Sequence, residues 1–181
     1  MLSDQVIVVD NFFEAVDKVR DFALAQKYHK ENVFPGVRTV ESFFYDELKQ
    51  KIEDILGCTV ISANSRNGCY QAIFEDDFKK SYVHSDATKW AGVVYLSNSI
   101  DGTPGTSFFA HKKTKKTYFE DYLSHHYSKD RFDLNKWNTM STIEFKLNRL
   151  VMYSGKTFHM NASAWGNSVE NARLTQVFFL N

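Results

Sequence analysis

Apolar positions in the first third of the chain recur three and four residues apart. After a short β-branched run, Val6–Val9, come Phe12, Phe13, Val16, Val19, Phe22 and Ala23. This is the spacing of one buried helical face, so a strand, a cap at Asp10-Asn11 and a helix to about residue 28 are expected. Residues 32–39, with Pro35-Gly36, read as a turn. A second helical stripe over 42–56 uses Phe43, Phe44, Leu48, Ile52, Ile55 and Leu56, and Gly57 stops it. From Cys58 the pattern changes to short runs bounded by Gly, Asn, Asp and Ser, the mark of an all-β sandwich or barrel. Strands are expected at 59–64, 69–74, 82–86, 92–96, 106–110, 142–147, 149–153, 158–162 and 173–180. Residues 117–140 interrupt the series with aromatics and charges and read as a partly helical insertion, of a length that often serves as a lid.

So many strands need two packed sheets, and the expected fold class is mainly β (α+β), with the N-terminal helices packed on one sheet. A chain of 181 residues fits a single domain, 1–181, with 1–57 supporting a core at 58–181. Charge balances at 22 basic and 22 acidic residues, which argues against a nucleic-acid or anionic-membrane partner. One local basic run, HKKTKK at 111–116, reads as a solvated loop and keeps a nucleic-acid substrate open as an alternative. Cys58 and Cys69 make no metal-ligand spacing, the N-terminus lacks the basic and apolar regions of a signal peptide, and no apolar stretch approaches a bilayer's thickness. A cytoplasmic protein with no membrane partner is the expectation.

Chemistry enters at V-H-S-D. On a strand, residues i and i+2 share a face, so His84 and Asp86 would project an imidazole and a carboxylate to one place. Six histidines yield about 0.7 such H-x-[DE] spacings by chance, so the pair alone also fits a histidine hydrogen-bonded at a strand edge. A second match, His29-Lys30-Glu31, is discounted because it falls at the end of a predicted helix. His159, on another predicted strand, would complete two histidines and a carboxylate, the set expected for non-haem Fe(II) that must leave positions for a co-substrate and dioxygen. Arg173 opens an otherwise apolar final strand with no acid in it. A buried guanidinium there needs a carboxylate, either from a distant protein residue or from a small dicarboxylic acid bound bidentately. Thr175 shares its face and offers a hydroxyl to the same carboxylate.

The series H-S-D, V-V-Y-L-S-N, G-T-P-G-T-S-F-F, N-R-L-V-M-Y-S-G-K-T-F-H and A-R-L-T-Q-V-F-F resembles the core of the 2-oxoglutarate/Fe(II) oxygenase superfamily, particularly its prolyl 4-hydroxylase-like branch. The resemblance runs from Tyr82 to the C-terminus, and V-D-N-F-F with P-G-V-R looks like small bacterial or phage members. It implies a double-stranded β-helix (jelly-roll, cupin-like) and a dioxygenase using Fe(II), 2-oxoglutarate and O2. It further implies that His84, Asp86 and His159 are the iron ligands and that Arg173 holds the distal carboxylate of 2-oxoglutarate, with Tyr95 beside it. The step from His159 to Arg173 exceeds the commonest family spacing, which implies a longer loop at 163–171. The implied reaction hydroxylates an unidentified small molecule or peptide side chain and releases succinate and CO2; a carboxylate at Asp86 leaves no place for a halide. Two alternatives remain, a non-catalytic cupin-like metal- or ligand-binding module and a nucleic-acid oxidative demethylase. Gln71 and Thr106 are secondary candidates for the pocket wall. Trp90, Phe108, Trp137 and the insertion could shape a substrate pocket, but the three aromatics read first as core; Arg38, in a turn, could meet a substrate carboxylate or phosphate but reads first as a surface arginine.

Overall fold

Alternation along the last strand organises the molecule. A computed structural model describes residues 6–31, 34–98 and 101–181. Its elements in chain order are β1 (Val6–Val9), α1 (Val16–Leu24), β2 (Tyr28–His29), β3 (Val37–Thr39), α2 (Asp46–Leu56), β4 (Tyr70–Ile73), α3 (Glu75–Phe78), β5 (Trp90–Tyr95), β6 (Pro104–His111), α4 (Ser124–Asp130), β7 (Trp137–Glu144), β8 (Leu150–Ser154), β9 (His159–Asn161) and β10 (Arg173–Leu180). Seven strands form one sheet in the order β1-β8-β5-β10-β4-β3-β2, and β7-β6-β9 form a second, with every pairing antiparallel. The two facing sheets make a jelly-roll, with helices supporting one of them. Among the described residues no helix is long and apolar enough to cross a membrane.

On β10, Leu174, Phe178 and Leu180 point outward into the main apolar cluster, where Ala23 of α1 and Ile52 of α2 pack against them. Arg173, Thr175, Val177 and Phe179 alternate to the inner face. A second cluster, with Ala91, Tyr95, Phe108, Phe145, Val151 and Tyr153, fills the space between the sheets. A third, with Val83, Phe109, Tyr127, Trp137 and Phe158, lies under α4. Trp90, Phe108 and Trp137 are thus core residues, as expected.

Several boundaries differ from the sequence expectation for physical reasons. The first helix begins only at Val16. Asn148 holds the preceding backbone, its carbonyl accepting from Phe12 N at 3.0 Å and its side chain bonding Phe13 N and O at 2.7 Å each. Its end also comes early, and Tyr28 and His29 pair with Thr39 and Arg38 as strand. The reason for discounting His29-Lys30-Glu31 was therefore wrong, although His29 is simply ion-paired to Glu31 at 2.8 Å. The second helix starts at Asp46 rather than residue 42, because Phe43 N is bonded to Gly68 O at 3.2 Å. Gly57 ends it in the left-handed region, φ 66°, as expected. Residues 59–64 form one isolated bridge, Ser62 to Leu180, and residues 82–86 form another, His84 to His159.

Within 117–140 the chain forms short 3₁₀ turns at 121–123 and 134–136, α4, and the start of β7. The basic run at 111–116 is only partly a solvated loop. Lys112, Lys113 and Lys115 are exposed, but His111 is fully buried and bonds Asp130 Oδ2 through Nε2 at 3.0 Å.

A candidate metal centre between the sheets

The bridge that replaces an expected strand is what aligns the ligands. His84 N donates to His159 O at 3.0 Å and His159 N donates back to His84 O at 2.8 Å, so both backbones are fixed side by side. Asp86 N donates to Gly155 O at 2.7 Å and holds the carboxylate's end of the loop. One ligand atom from each of His84, Asp86 and His159 then falls within 4.8 Å of the others, the one cluster of this kind among the described residues.

Hydrogen bonds behind the rings select the state a metal needs. His84 Nδ1 lies 3.1 Å from Tyr82 O, and His159 Nδ1 lies 2.9 Å from Thr157 O. A carbonyl can only accept, so each Nδ1 carries the proton and each Nε2 presents a lone pair. His159 Nε2 stands 3.4 Å from Asp86 Oδ2. Burial, then the neighbouring His84, pushes the His159 pKa down to about 4, against the opposing pull of Asp86 and the Thr157 carbonyl. The imidazole is neutral at physiological pH, and its ring packs 4.6 Å from that of Tyr153. Two imidazoles whose Nε2 atoms are left free by the Nδ1 bonds, with one carboxylate, fit a divalent first-row metal with open positions. Among the described residues no fourth protein ligand of the kind a closed structural zinc site would have joins the three.

Arg173 is 1% exposed. No acidic group among the described residues meets it: Nη2 donates to Gly105 O at 3.3 Å and Nε has no partner. Burial lowers its pKa, and the rings of Tyr95 and Phe145 lie 5.5 and 5.4 Å from the guanidinium. Gly105 is required here, because a Cβ would lie 2.6 Å from Tyr95 Oη and 2.8 Å from Ile143 O. Tyr95 Oη bonds Thr106 Oγ1 at 2.8 Å, and Thr175 Oγ1 donates to Gln71 O at 3.4 Å. The structure therefore gives both hydroxyls protein partners.

A cavity of about 410 Å³ opens onto the His-Asp-His cluster, and Gln71, Thr106 and Tyr153 line it. Arg173, Tyr95 and Thr175 are not on its wall. Tyr153 adjoins His159, and its hydroxyl pKa is raised well above the usual phenol by burial and by Asp86 and Tyr95, against the pull of Arg173. Of residues 117–140, Arg131 alone reaches the wall.

Sequence reasoning missed one wall residue and set a second aside. Tyr153 is a strand tyrosine whose face depends on the register of β8 against β5. Arg38, expected on the surface, is 9% exposed; it lines the cavity and donates from Nη2 to Gln71 Oε1 at 3.1 Å. The cause is the Pro35-Gly36 turn. Gly36 has φ 77° and sits where a Cβ would lie 2.0 Å from Ala72 O, so the turn presses onto β4 and registers Arg38 opposite Gln71.

The sequence model of a family described as of unknown function, DUF6445, matches residues 2–180. No curated protein sequence matches the chain. Among solved structures, HygX from Streptomyces hygroscopicus with nickel and 2-oxoglutarate bound is similar at TM-score 0.60 and 11% identity, covering 97% of this chain and 82% of its own. An oxidoreductase of the 2OG-Fe(II) oxygenase family from Burkholderia pseudomallei aligns at 0.56 and 10%, covering 97% and 84%. The non-haem alpha-ketoglutarate-dependent epimerase SnoN from nogalamycin biosynthesis aligns at 0.57 and 10%, covering 95% and 76%. At these identities the likeness is one of fold.

Proposed function

Since the chain belongs to DUF6445, a family of unknown function, we propose from its own geometry that it is an Fe(II)- and 2-oxoglutarate-dependent dioxygenase acting on a small organic substrate. The observation that carries this reading is the meeting of His84, Asp86 and His159 within 4.8 Å, with both imidazole Nδ1 atoms tied to backbone carbonyls. The jelly-roll shared with structures titled as 2-oxoglutarate-dependent or 2OG-Fe(II) enzymes supports it.

Fe(II) bound by these three residues would supply the oxidative chemistry: one oxygen atom of O2 goes to 2-oxoglutarate, giving succinate and CO2, and the other to a substrate C–H bond. His84 and His159 serve as neutral nitrogen donors whose ring planes the Tyr82 and Thr157 carbonyls hold. Asp86 supplies the single negative charge and, as a carboxylate ligand, favours hydroxylation over halide transfer. Arg173 receives the distal carboxylate of 2-oxoglutarate, which gives its unpartnered Nε and its buried charge a counter-ion. Thr106 and Tyr153 line the cavity, where their hydroxyls can donate to the diacid. Tyr95 and Thr175 position that end of the pocket by holding Thr106 and β4. Val177 and Met160 supply apolar surface on the cavity wall against which the body of a substrate can rest. Because one structural neighbour is titled an epimerase, the outcome on the substrate carbon is assayed separately from succinate release.

Anaerobic addition of Fe(II) and then 2-oxoglutarate tests the reading. A weak visible charge-transfer band is expected, and a folded, metal-loaded protein without that band contradicts it.

A further inference from the structure

We infer that Arg38 is the binding point for a carboxylate on the primary substrate, so that the enzyme acts on a small carboxylic acid whose apolar body lies between Arg38 and the metal cluster. The inference takes the word substrate from the oxygenase reading. Its evidence is the charge balance of the cavity.

Four charged side chains other than the two histidines line that cavity: Asp86, Arg38, Arg66 and Arg131. Asp86 is committed to the metal cluster. Arg66 is ion-paired to Glu31 at 2.7 Å, and exposed Arg131 stacks on the rings of Tyr82 and Phe132 at 4.8 and 4.7 Å. Arg38 is different because it is 9% exposed and has no carboxylate partner among the described residues. Its contacts are the neutral amide oxygen of Gln71 and the faces of Phe34 and Phe179, 4.2 and 5.4 Å from the guanidinium. Its Nε has no partner. A guanidinium kept in such a place costs desolvation that a neutral amide and two ring faces offset only in part, and a ligand carboxylate offsets the rest.

Arg38 is also placed so as not to compete for the co-substrate. The register puts Arg38, Gln71 and Thr175 in one row across β3, β4 and β10, and Arg173 lies two residues further along β10. Two strand spacings and two residue steps set the Cα atoms of the two arginines about 12 Å apart. Arg38 is on the cavity wall, while Arg173 is not. The two cations thus serve two different anions.

A monoanion fits better than a phosphate. With Arg66 paired, one buried positive charge is left to balance, and Nη2 is already given to Gln71, leaving a planar fork that matches a carboxylate. The cavity wall is mixed, with Val177, Phe179, Ala91 and Met160 giving apolar surface beside Thr106 and Asn161. A cavity of about 410 Å³ shared with 2-oxoglutarate holds a molecule of amino-acid or short fatty-acid size.

Hexanoate, its uncharged analogue hexanamide, and inorganic phosphate are the probes. Each is titrated by ligand-observed NMR into the full chain loaded with Ni(II) and 2-oxoglutarate, and into the metal-free chain. Hexanoate is expected to bind at least about tenfold tighter than hexanamide, and Arg38→Met to remove that difference. Arg38→Met should also raise the ligand-free melting temperature by at least about 2 °C while leaving 2-oxoglutarate affinity unchanged. Arg38→Lys, which keeps the charge and loses the fork, should recover part of the binding and covers the case of a Met variant that folds poorly. Equal affinity for acid and amide, or hexanoate binding indifferent to both variants, overturns the proposal. Phosphate binding tighter than hexanoate overturns the carboxylate in favour of a phosphoryl group. A nickel-loaded chain that ignores 2-oxoglutarate sinks the oxygenase reading instead, and the acid-amide comparison in the metal-free chain remains readable.

Discussion

The two faces of the seven-stranded sheet carry opposite burdens, and β10 shows both within eight residues. Its outward residues Leu174, Phe178 and Leu180 meet the helices in a well-packed apolar layer, and the one polar residue among them, Gln176, donates to Phe43 O and Gly68 O at 2.9 and 3.0 Å. Its inward row places Arg173 and Thr175 beside Gln71, Tyr95 and Arg38, and two guanidiniums there are buried without a carboxylate. Hydrophobic burial on one face stabilises the fold enough for the other to hold two guanidiniums that no carboxylate among the described residues meets.

The comparison breaks first if the outer face proves dispensable. Phe178→Ala, at a fully buried ring packed 6.0 Å from Phe44, should cost about 3–5 kcal/mol in urea unfolding. A loss below about 1 kcal/mol would show that the helices do not depend on this face. On the inner side the order should reverse, with binding lost and stability kept. His84→Ala should weaken Fe(II) or Ni(II) binding by roughly a hundredfold, close to 3 kcal/mol. Calorimetric titration checks it, and unfolding of the metal-free variant should stay near wild type. Arg173→Met should weaken 2-oxoglutarate by about 2–3 kcal/mol while sparing the metal. Equal loss of metal in both variants would contradict the separate roles.

The smallest effect belongs to a site on neither face. Asp10 bonds Arg149 Nε at 2.6 Å and Lys146 Nζ at 2.9 Å, and these cations hold its carboxyl well below the usual carboxylate range. A depressed folded pKa gives stability that is present above the unfolded value near 4 and is lost as pH falls towards the folded one. Asp10→Asn should therefore cost about 0.5–1 kcal/mol at pH 7, the range of half-exposed pairs. The gap to wild type should close as the pH falls below about 4.

How much of this could be read from the sequence depended on the length of each signal. The strand expected at 173–180 has those bounds, because it is the longest apolar-rich run near the end of the chain and only Arg173, Thr175 and Gln176 interrupt it. His84, Asp86 and His159 could be placed together because close spacing and strand order constrain them, although the 82–86 segment is a bridge and not a strand. Strand β7 begins at Trp137, five residues before its expected start, since residues 138–142 are exposed and polar and carry no alternation of burial. Arg38 was misplaced on the surface because β3 has three residues, too few for periodicity, and its burial depends on how Gly36 seats against β4. Tyr153 was not singled out, since its place beside His159 on the cavity wall is a matter of tertiary register.

The reciprocal backbone bridge between His84 and His159 has a kinetic corollary. Because those two amides are already locked to each other, an incoming cation need not fold a loop around itself, and capture should proceed without an ordering delay. Deuterium uptake at both positions should be slow even in chelator-treated protein, and metal should change it little.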